Sequence, residues 1–198
     1  MAKKIQQGEQ PLTNKERLFE ILYQKSFMYR DNPPFTLVSG KQSPYYFDCK
    51  ATTLYPEGCI LTGKCMYALI QDIPADAIGG LTLGADPISL STAMEAYLQG
   101  RILYPLIVRK EPKKHGTQKW IEGDITRVKN VIAIDDVITT GGSTITAIER
   151  LTESGLQVVA AAVIIDREEG GREAIEEKGI SVYSIFKRSD FDKKRVSH

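Results

Sequence analysis

The chain has 198 residues, 42% of them hydrophobic, and its 26 basic and 25 acidic side chains leave a formal charge of +1. That length holds one domain with a proper core, and so even a charge balance argues against nucleic acid as the main partner. No apolar run reaches membrane-spanning length, the opening MAKKIQQGEQP lacks the apolar segment of a signal peptide, and Cys49, Cys59 and Cys65 show no CxxC spacing. A disulfide framework, a zinc site and a membrane partner are therefore disfavoured, and a reducing cytoplasm is the expected compartment.

In chain order, Thr13-Asn14-Lys15-Glu16 has the spacing of a capping box, and Leu18, Phe19, Ile21 and Leu22 add an apolar stripe. Together they predict a docking helix without chemistry of its own. Phe35-Thr36-Leu37 and Tyr45-Tyr46-Phe47 flank the turn-forming Ser39 to Pro44. That pattern predicts a hairpin outside the main sheet, part of a hood within roughly residues 1–55. From Pro56 the pattern changes. Ile60, Leu61, Cys65, Ala68 and Leu69 predict a helix ending near Gln71, and Ala77 to Gly80 predicts a short buried strand. A helix to Gly100 should follow Leu81-Thr82-Leu83-Gly84-Ala85-Asp86-Pro87. Further buried strands are expected at Ile102 to Val108, Val131 to Ile134, Val158 to Ile165 and Ile180 to Phe186, with Ile175 on the helix between the last two. Strand and helix alternate, so the expected fold is α/β: a parallel sheet with right-handed crossovers and helices on both faces. Ligands in such sheets bind beyond the carboxyl ends of the strands, which places Gly80, Arg109, Asp135 and Asp166 along one rim.

The densest chemistry on that rim is VIAIDDVITTGGST, Val131 to Thr144. Asp135 and Asp136 sit where the short apolar strand should end. Thr139-Thr140-Gly141-Gly142-Ser143 then offers backbone N–H groups and hydroxyls at the start of a helix marked by Ile145, Ile148 and Leu151. Free N–H groups and the positive end of a helix dipole hold phosphate. Carboxylates repel phosphate, so the acids are better explained by sugar hydroxyls or a metal ion lying beside it, as in a 5-phosphorylated ribose. The plainer alternative is a strand-to-helix turn with solvated acids. After the second strand, Arg109-Lys110-Glu111-Pro112-Lys113-Lys114-His115-Gly116 runs on to Trp120 with no helical or alternating period. It is read either as solvated surface or as a cationic lid that stabilises leaving pyrophosphate and excludes water, with Trp120 as packing. Asp166-Arg167-Glu168-Glu169-Gly170-Gly171 places a planar guanidinium on the rim, suited to a carboxylate or to a ring edge; a surface ion pair with Glu168 or Glu169 is equally open.

The run from Val131 resembles the phosphoribosyl pyrophosphate (PRPP) signature of type I phosphoribosyltransferases. The stretch from Phe35 to Arg167 is similar to the orotate phosphoribosyltransferase family in particular, through FTLVSGKQSPYY, RKEPKKHG and DREEGG. The resemblance implies that Asp135 and Asp136 hold the ribose diol. It also implies that Val137-Ile138-Thr139-Thr140-Gly141-Gly142-Ser143 completes the PRPP site, with the 5-phosphate in Thr139 to Ser143. Arg109, Lys110, Lys113 and His115 match the PRPP-contacting residues of a loop that enters the neighbouring subunit's site, so a homodimer sharing its sites through residues 109–120 is implied. Lys113, His115, Asp135 and Asp136 are then the expected catalytic residues, and Arg167 with Thr139 the orotate contacts. Mg2+ is expected, held mainly by substrate and water. The chain carries Val38 and Gly84 where many members have lysine, with Lys41 as the candidate replacement.

The expectation is a single domain, residues 1–198, that joins orotate to PRPP and releases pyrophosphate and orotidine 5-monophosphate, a step of pyrimidine nucleotide synthesis. Rival readings are a purine phosphoribosyltransferase, with no carboxylate for Arg167, and a PRPP-sensing regulator without turnover. A plain dinucleotide-binding domain is weakened by the absence of GxGxxG after the first strand.

Overall fold

A computed structural model describes residues 12–36, 40, 42–112 and 120–196. The first helix, α1 (Asn14–Lys25), begins on a complete capping box, with the Glu16 carboxylate accepting from the Thr13 N–H at 2.8 Å and Thr13 Oγ1 accepting from the Glu16 N–H at 3.2 Å. Four short strands follow: β1 (Phe27–Tyr29), β2 (Phe35–Thr36), β3 (Gln42–Ser43) and β4 (Tyr45–Phe47). Here the expected hairpin is corrected. Phe35 pairs with Ser43 and Thr36 with Gln42, whereas Tyr45 to Phe47 pairs antiparallel with Phe27 to Tyr29, a strand the sequence reading did not anticipate. The reason is local. Pro44 has no N–H to continue a ladder, so the chain leaves one partner there and takes another.

The remaining elements are α2 (Lys50–Thr53), α3 (Pro56–Ile70), β5 (Ala77–Leu81), α4 (Asp86–Leu98), β6 (Tyr104–Val108), β7 (Ile121–Glu122), β8 (Asn130–Ile138), α5 (Gly142–Glu153), β9 (Gln157–Asp166), α6 (Gly171–Glu176), β10 (Val182–Lys187) and α7 (Arg188–Val196). Strands β5 to β10 form one sheet in the order β10-β9-β8-β5-β6-β7, parallel throughout except for the edge strand β7. The α/β expectation holds, with five parallel strands where five were expected and β7 added antiparallel to β6.

Along β8 the side chains alternate between two cores. Ile132 and Ile134 join Leu22, Met66, Ile88 and Phe191 on one face, and Val131 and Ala133 join Ile148, Leu151 and Ile175 on the other. A strand apolar at every position is thus explained by burial on both sides. Strand β8 runs to Ile138, beyond the expected Ile134, because β9 gives it a partner that far: Asp135 pairs with Val163 and Ile138 with Asp166. The acids therefore lie within a paired strand and not past its end. Helix α7 was also not anticipated, since RSDFDKKRV is nearly all charge. One apolar side chain docks it: Phe191, fully buried among Phe19, Phe27, Phe47 and Phe186.

The chain passes from β5 outward to β6 and then returns to β8, on the other side of β5, before moving outward to β9 and β10. The loops after β5 and β8 thus diverge from neighbouring strands. That topological switch point opens a crevice, the place where open parallel sheets bind ligands.

Candidate active site

The crevice holds a cleft of about 580 Å³ lined by Asp135, Asp136, Thr139, Thr140, Gly142 and Ser143 from the β8–α5 side and by Leu81 to Gly84 from the β5–α4 side, with Lys50 and Lys110 at its edges. Most of the residues expected to bind PRPP are therefore brought together, although they come from strand β8, the start of α5 and two separate loops.

The phosphate cradle follows from its local sequence. Gly141 leads into α5 with φ 82°, a left-handed conformation that glycine adopts without steric cost. No side chain caps this helix and its first turn holds no acid, so its leading N–H groups face the cleft without a competing carboxylate. The cradle is braced from behind by Gly171, where a Cβ would come within 2.4 Å of Ile138 Cγ2 and 2.5 Å of the Thr139 carbonyl oxygen. The second glycine of DREEGG thus has a packing reason that the sequence alone did not show, while the first, Gly170, takes φ 90°.

The two acids are not equivalent. Asp135 is only 5% exposed and its Oδ2 accepts from Ser143 Oγ at 2.6 Å and Thr144 Oγ1 at 2.8 Å, while its Oδ1 accepts from the Asp136 N–H at 3.0 Å. Burial pushes its carboxyl up to about 7, with the neighbouring Asp136 charge adding to the shift and the two hydroxyls opposing it. Asp136 is half-buried, and one of its oxygens accepts from the Val137 N–H at 2.9 Å. Gly84 lies directly against it: a Cβ there would meet Asp136 Oδ1 at 2.9 Å.

The other expected residues fall differently. Val137 is partly buried against the core and Ile138 is 1% exposed within it, so neither presents a free side chain to the cleft. Arg109 lines a neighbouring recess with Asp86, Glu111 and Glu122, and its guanidinium pairs with Glu122 at 3.0 Å. Lys110 reaches the cleft itself. The main-chain carbonyls of both residues accept from the Arg150 guanidinium, which stacks on Trp120 with 4.2 Å to the ring centre, so the foot of the cationic loop is anchored to α5. Trp120 packs as expected. Lys113 and His115 lie outside the described residues, as do Val38 and Lys41.

Arg167 departs most from expectation. It is 2% exposed and does not line the cleft; its Nη2 donates to Ser43 Oγ at 2.9 Å and pairs with Glu169 at 2.7 Å, beneath the β3–β4 hood. The guanidinium is turned toward these hood partners, although its Nε remains buried without one. Of the two open sequence readings, the ion pair to Glu169 is present, with the arginine buried and the glutamate partly exposed. Lys50 is the cleft residue that sequence reasoning missed. It stands alone in Asp48-Cys49-Lys50, outside any cationic run, and only the tertiary fold brings it beside the acids.

A parallel sheet with an anion cradle and paired acids at its switch point is the architecture of phosphoribosyl transfer, and a phosphoribosyl transferase domain model matches residues 101–196. The orotate phosphoribosyltransferase of Aquifex aeolicus is 44% identical over 179 residues, 90% of this chain and 98% of that protein. The Mycobacterium tuberculosis orotate phosphoribosyltransferase in complex with PRPP superposes with a TM-score of 0.75 at 31% identity, covering 91% of this chain and 99% of that one. The same enzyme with Fe(III) dicitrate gives 0.78 at 34% identity, over 90% and 99% of the two chains. The chain belongs to the orotate phosphoribosyltransferase family, enzymes of glycosyltransferase type.

Proposed function

We propose that the protein transfers the 5-phosphoribosyl group of PRPP to orotate, yielding orotidine 5-monophosphate and pyrophosphate in pyrimidine nucleotide synthesis. The observation that carries this reading is the uncapped start of α5 standing directly beside Asp135 and Asp136 in one cleft. The 5-phosphate takes the N–H groups of Thr139 to Ser143 and the Ser143 hydroxyl. As that hydroxyl turns to the phosphate it frees one acceptor position on Asp135 Oδ2, which keeps its bond from Thr144 Oγ1, so Asp135 and Asp136 together accept from the ribose diol. Arg167 already grips a carboxylate, that of Glu169. The carboxylate of orotate takes the place of Glu169 on the same planar fork, with Thr139 completing the base contact.

In the reaction the orotate ring nitrogen forms a bond to C1 and gives up its proton, while the C1–O bond breaks and its electron pair leaves with pyrophosphate. Positioning and charge stabilisation supply the rate, and no covalent nucleophile is needed. Lys110 and Arg109, with Lys113 and His115 of the same loop, are the cations for the leaving group.

The cleft's donors are hard oxygens, and among the described residues no three His, Cys, Asp or Glu converge as a cage. That donor set fits Mg2+ held mainly by substrate and water, with Asp135 and Asp136 as its nearest carboxylates, and the ion would neutralise pyrophosphate charge. We also infer a single domain with its hood in roughly residues 1–55, and a homodimer in which the loop at 109–120 completes the partner's site. The exposed apolar side chains Leu90, Met94, Tyr97 and Leu98 on α4 support a self-association face. Among the described residues no helix is long and apolar enough to cross a membrane. The free thiols of Cys49, Cys59 and Cys65 accord with a reducing cytoplasm as the working compartment.

The test is turnover with PRPP, Mg2+ and orotate, adenine or guanine in separate reactions, following base consumption and pyrophosphate. Consumption of orotate alone is expected. Turnover of a purine but not orotate overturns the base assignment, and PRPP binding without turnover of any base supports a regulator instead.

A further inference from the structure

With the 5-phosphate at α5 and the diol at the acids, the substituent on C1 extends toward the opposite wall of the cleft, formed by Leu81 to Gly84 of the β5–α4 loop and by Lys50. That substituent is a pyrophosphate, and the wall it meets must balance its charge. The loop itself supplies no cation: Leu81, Thr82, Leu83 and Gly84 carry none, and a side chain at position 84 would run into the Asp136 carboxylate. Among the described residues lining the cleft only Lys50 and Lys110 are basic. Lys110 stands at the foot of the cationic loop. Lys50 stands on the body of the protein, at the first position of α2, next to Cys49, whose side chain is fully buried.

Two further observations show Lys50 ready for a ligand. Its Nζ rests on Asp48 at 2.8 Å, and both side chains are partly exposed. Such pairs contribute little and exchange readily for a better anion. Asp136 also lies near enough to hold the ammonium in its charged form, after the larger effect of Asp48. Lys50 thus lines the same cleft as Asp136, with Asp48 as its resting partner.

We propose that Lys50 is the fixed-wall cation that binds the pyrophosphate of PRPP and stabilises the charge gathering there as the C1–O bond breaks. The assignment rests on the placement of PRPP proposed above. Lys50 gives the leaving group a charge partner on the body of the protein, so pyrophosphate affinity does not depend on the cations that follow β6 alone.

The experiment is calorimetric titration of the full chain in Mg2+ with PRPP, inorganic pyrophosphate and ribose 5-phosphate, for the wild type and for Lys50→Met, Lys50→Arg and Asp48→Asn. Loss of a charge-assisted contact predicts about tenfold weaker PRPP and pyrophosphate binding for Lys50→Met, with ribose 5-phosphate changed less than about twofold. Lys50→Arg restores most of the affinity. Asp48→Asn, which removes the resting partner and keeps the cation, leaves PRPP binding within about threefold. An unchanged pyrophosphate affinity in Lys50→Met, or an equal loss for ribose 5-phosphate, overturns the assignment. A wild type that binds no PRPP defeats the underlying site reading. A wild type that turns over orotate beside a Lys50→Met that binds pyrophosphate normally defeats the lysine's role alone.

Discussion

The cradle at the start of α5 and the corner around Arg167 share one sheet edge, yet they hold their polar groups in opposite ways. The cradle is open: its helix start has no cap, its first turn has no acid, and Asp136 stands half-exposed beside it. The corner is closed on itself, with the Arg167 guanidinium under Ser43 and paired to Glu169. A preformed cradle costs the protein little to keep open, because glycine and water satisfy it. An unpaired guanidinium buried under a hood would be expensive, and the Glu169 carboxylate occupies it. The difference suggests that sugar-phosphate binding is rigid docking, whereas base binding is exchange.

The largest expected effect breaks the open side. Asp136→Asn keeps the shape and the bond from the Val137 N–H but removes the charge proposed to meet the diol. Turnover should fall by about 10²–10³-fold with the melting temperature nearly unchanged, read by steady-state kinetics and a thermal melt. A variant with full activity would show that the acid is solvated surface. Next, Arg167→Ala should raise the orotate KM by about 10–100-fold while PRPP affinity stays near wild type. Equal losses for both substrates would place Arg167 in the scaffold.

A smaller effect concerns Asp135, whose folded-state carboxyl is raised to about 7. The folded protein then holds a proton that the unfolded chain releases near pH 4. The stability this provides is complete below that pH and is lost as pH rises through about 7. Urea denaturation of the ligand-free protein should show stability declining by about 1–3 kcal/mol between pH 5 and 8, and Asp135→Asn should flatten the decline. A stability that climbs over that range would contradict the buried, charge-crowded carboxyl. The smallest effect sharpens the closed side. Glu169→Gln weakens the internal competitor and should lower the orotate KM by about two- to threefold; a rise would make Glu169 a support for Arg167 and not a rival of the substrate.

The same contrast explains what could be read in the amino-acid sequence. The cradle is one contiguous run, Val131 to Ser143, whose apolar strand, acids and glycines each act through neighbours a few residues away, so local rules sufficed. The α/β alternation was equally local. The Arg167 corner joins residues 124 positions apart, and Lys50 shares a cleft with Asp136 and the β5–α4 loop only through the tertiary fold; no spacing rule reports such encounters. The hood was mispaired because Phe27 to Tyr29, a strand of three residues, has no alternation long enough to register, while Pro44 ended the ladder early. Helix α7 was hidden by its charge, with Phe191 as its lone apolar anchor.

The placement of PRPP is tested most directly by a crystal structure of the protein with PRPP and Mg2+. The account predicts the 5-phosphate on the N–H groups of Thr139 to Ser143, both ribose hydroxyls on Asp135 and Asp136, and Ser143 Oγ turned from Asp135 to the phosphate. A phosphate seated elsewhere, or a sugar whose diol faces away from the two acids, would contradict it.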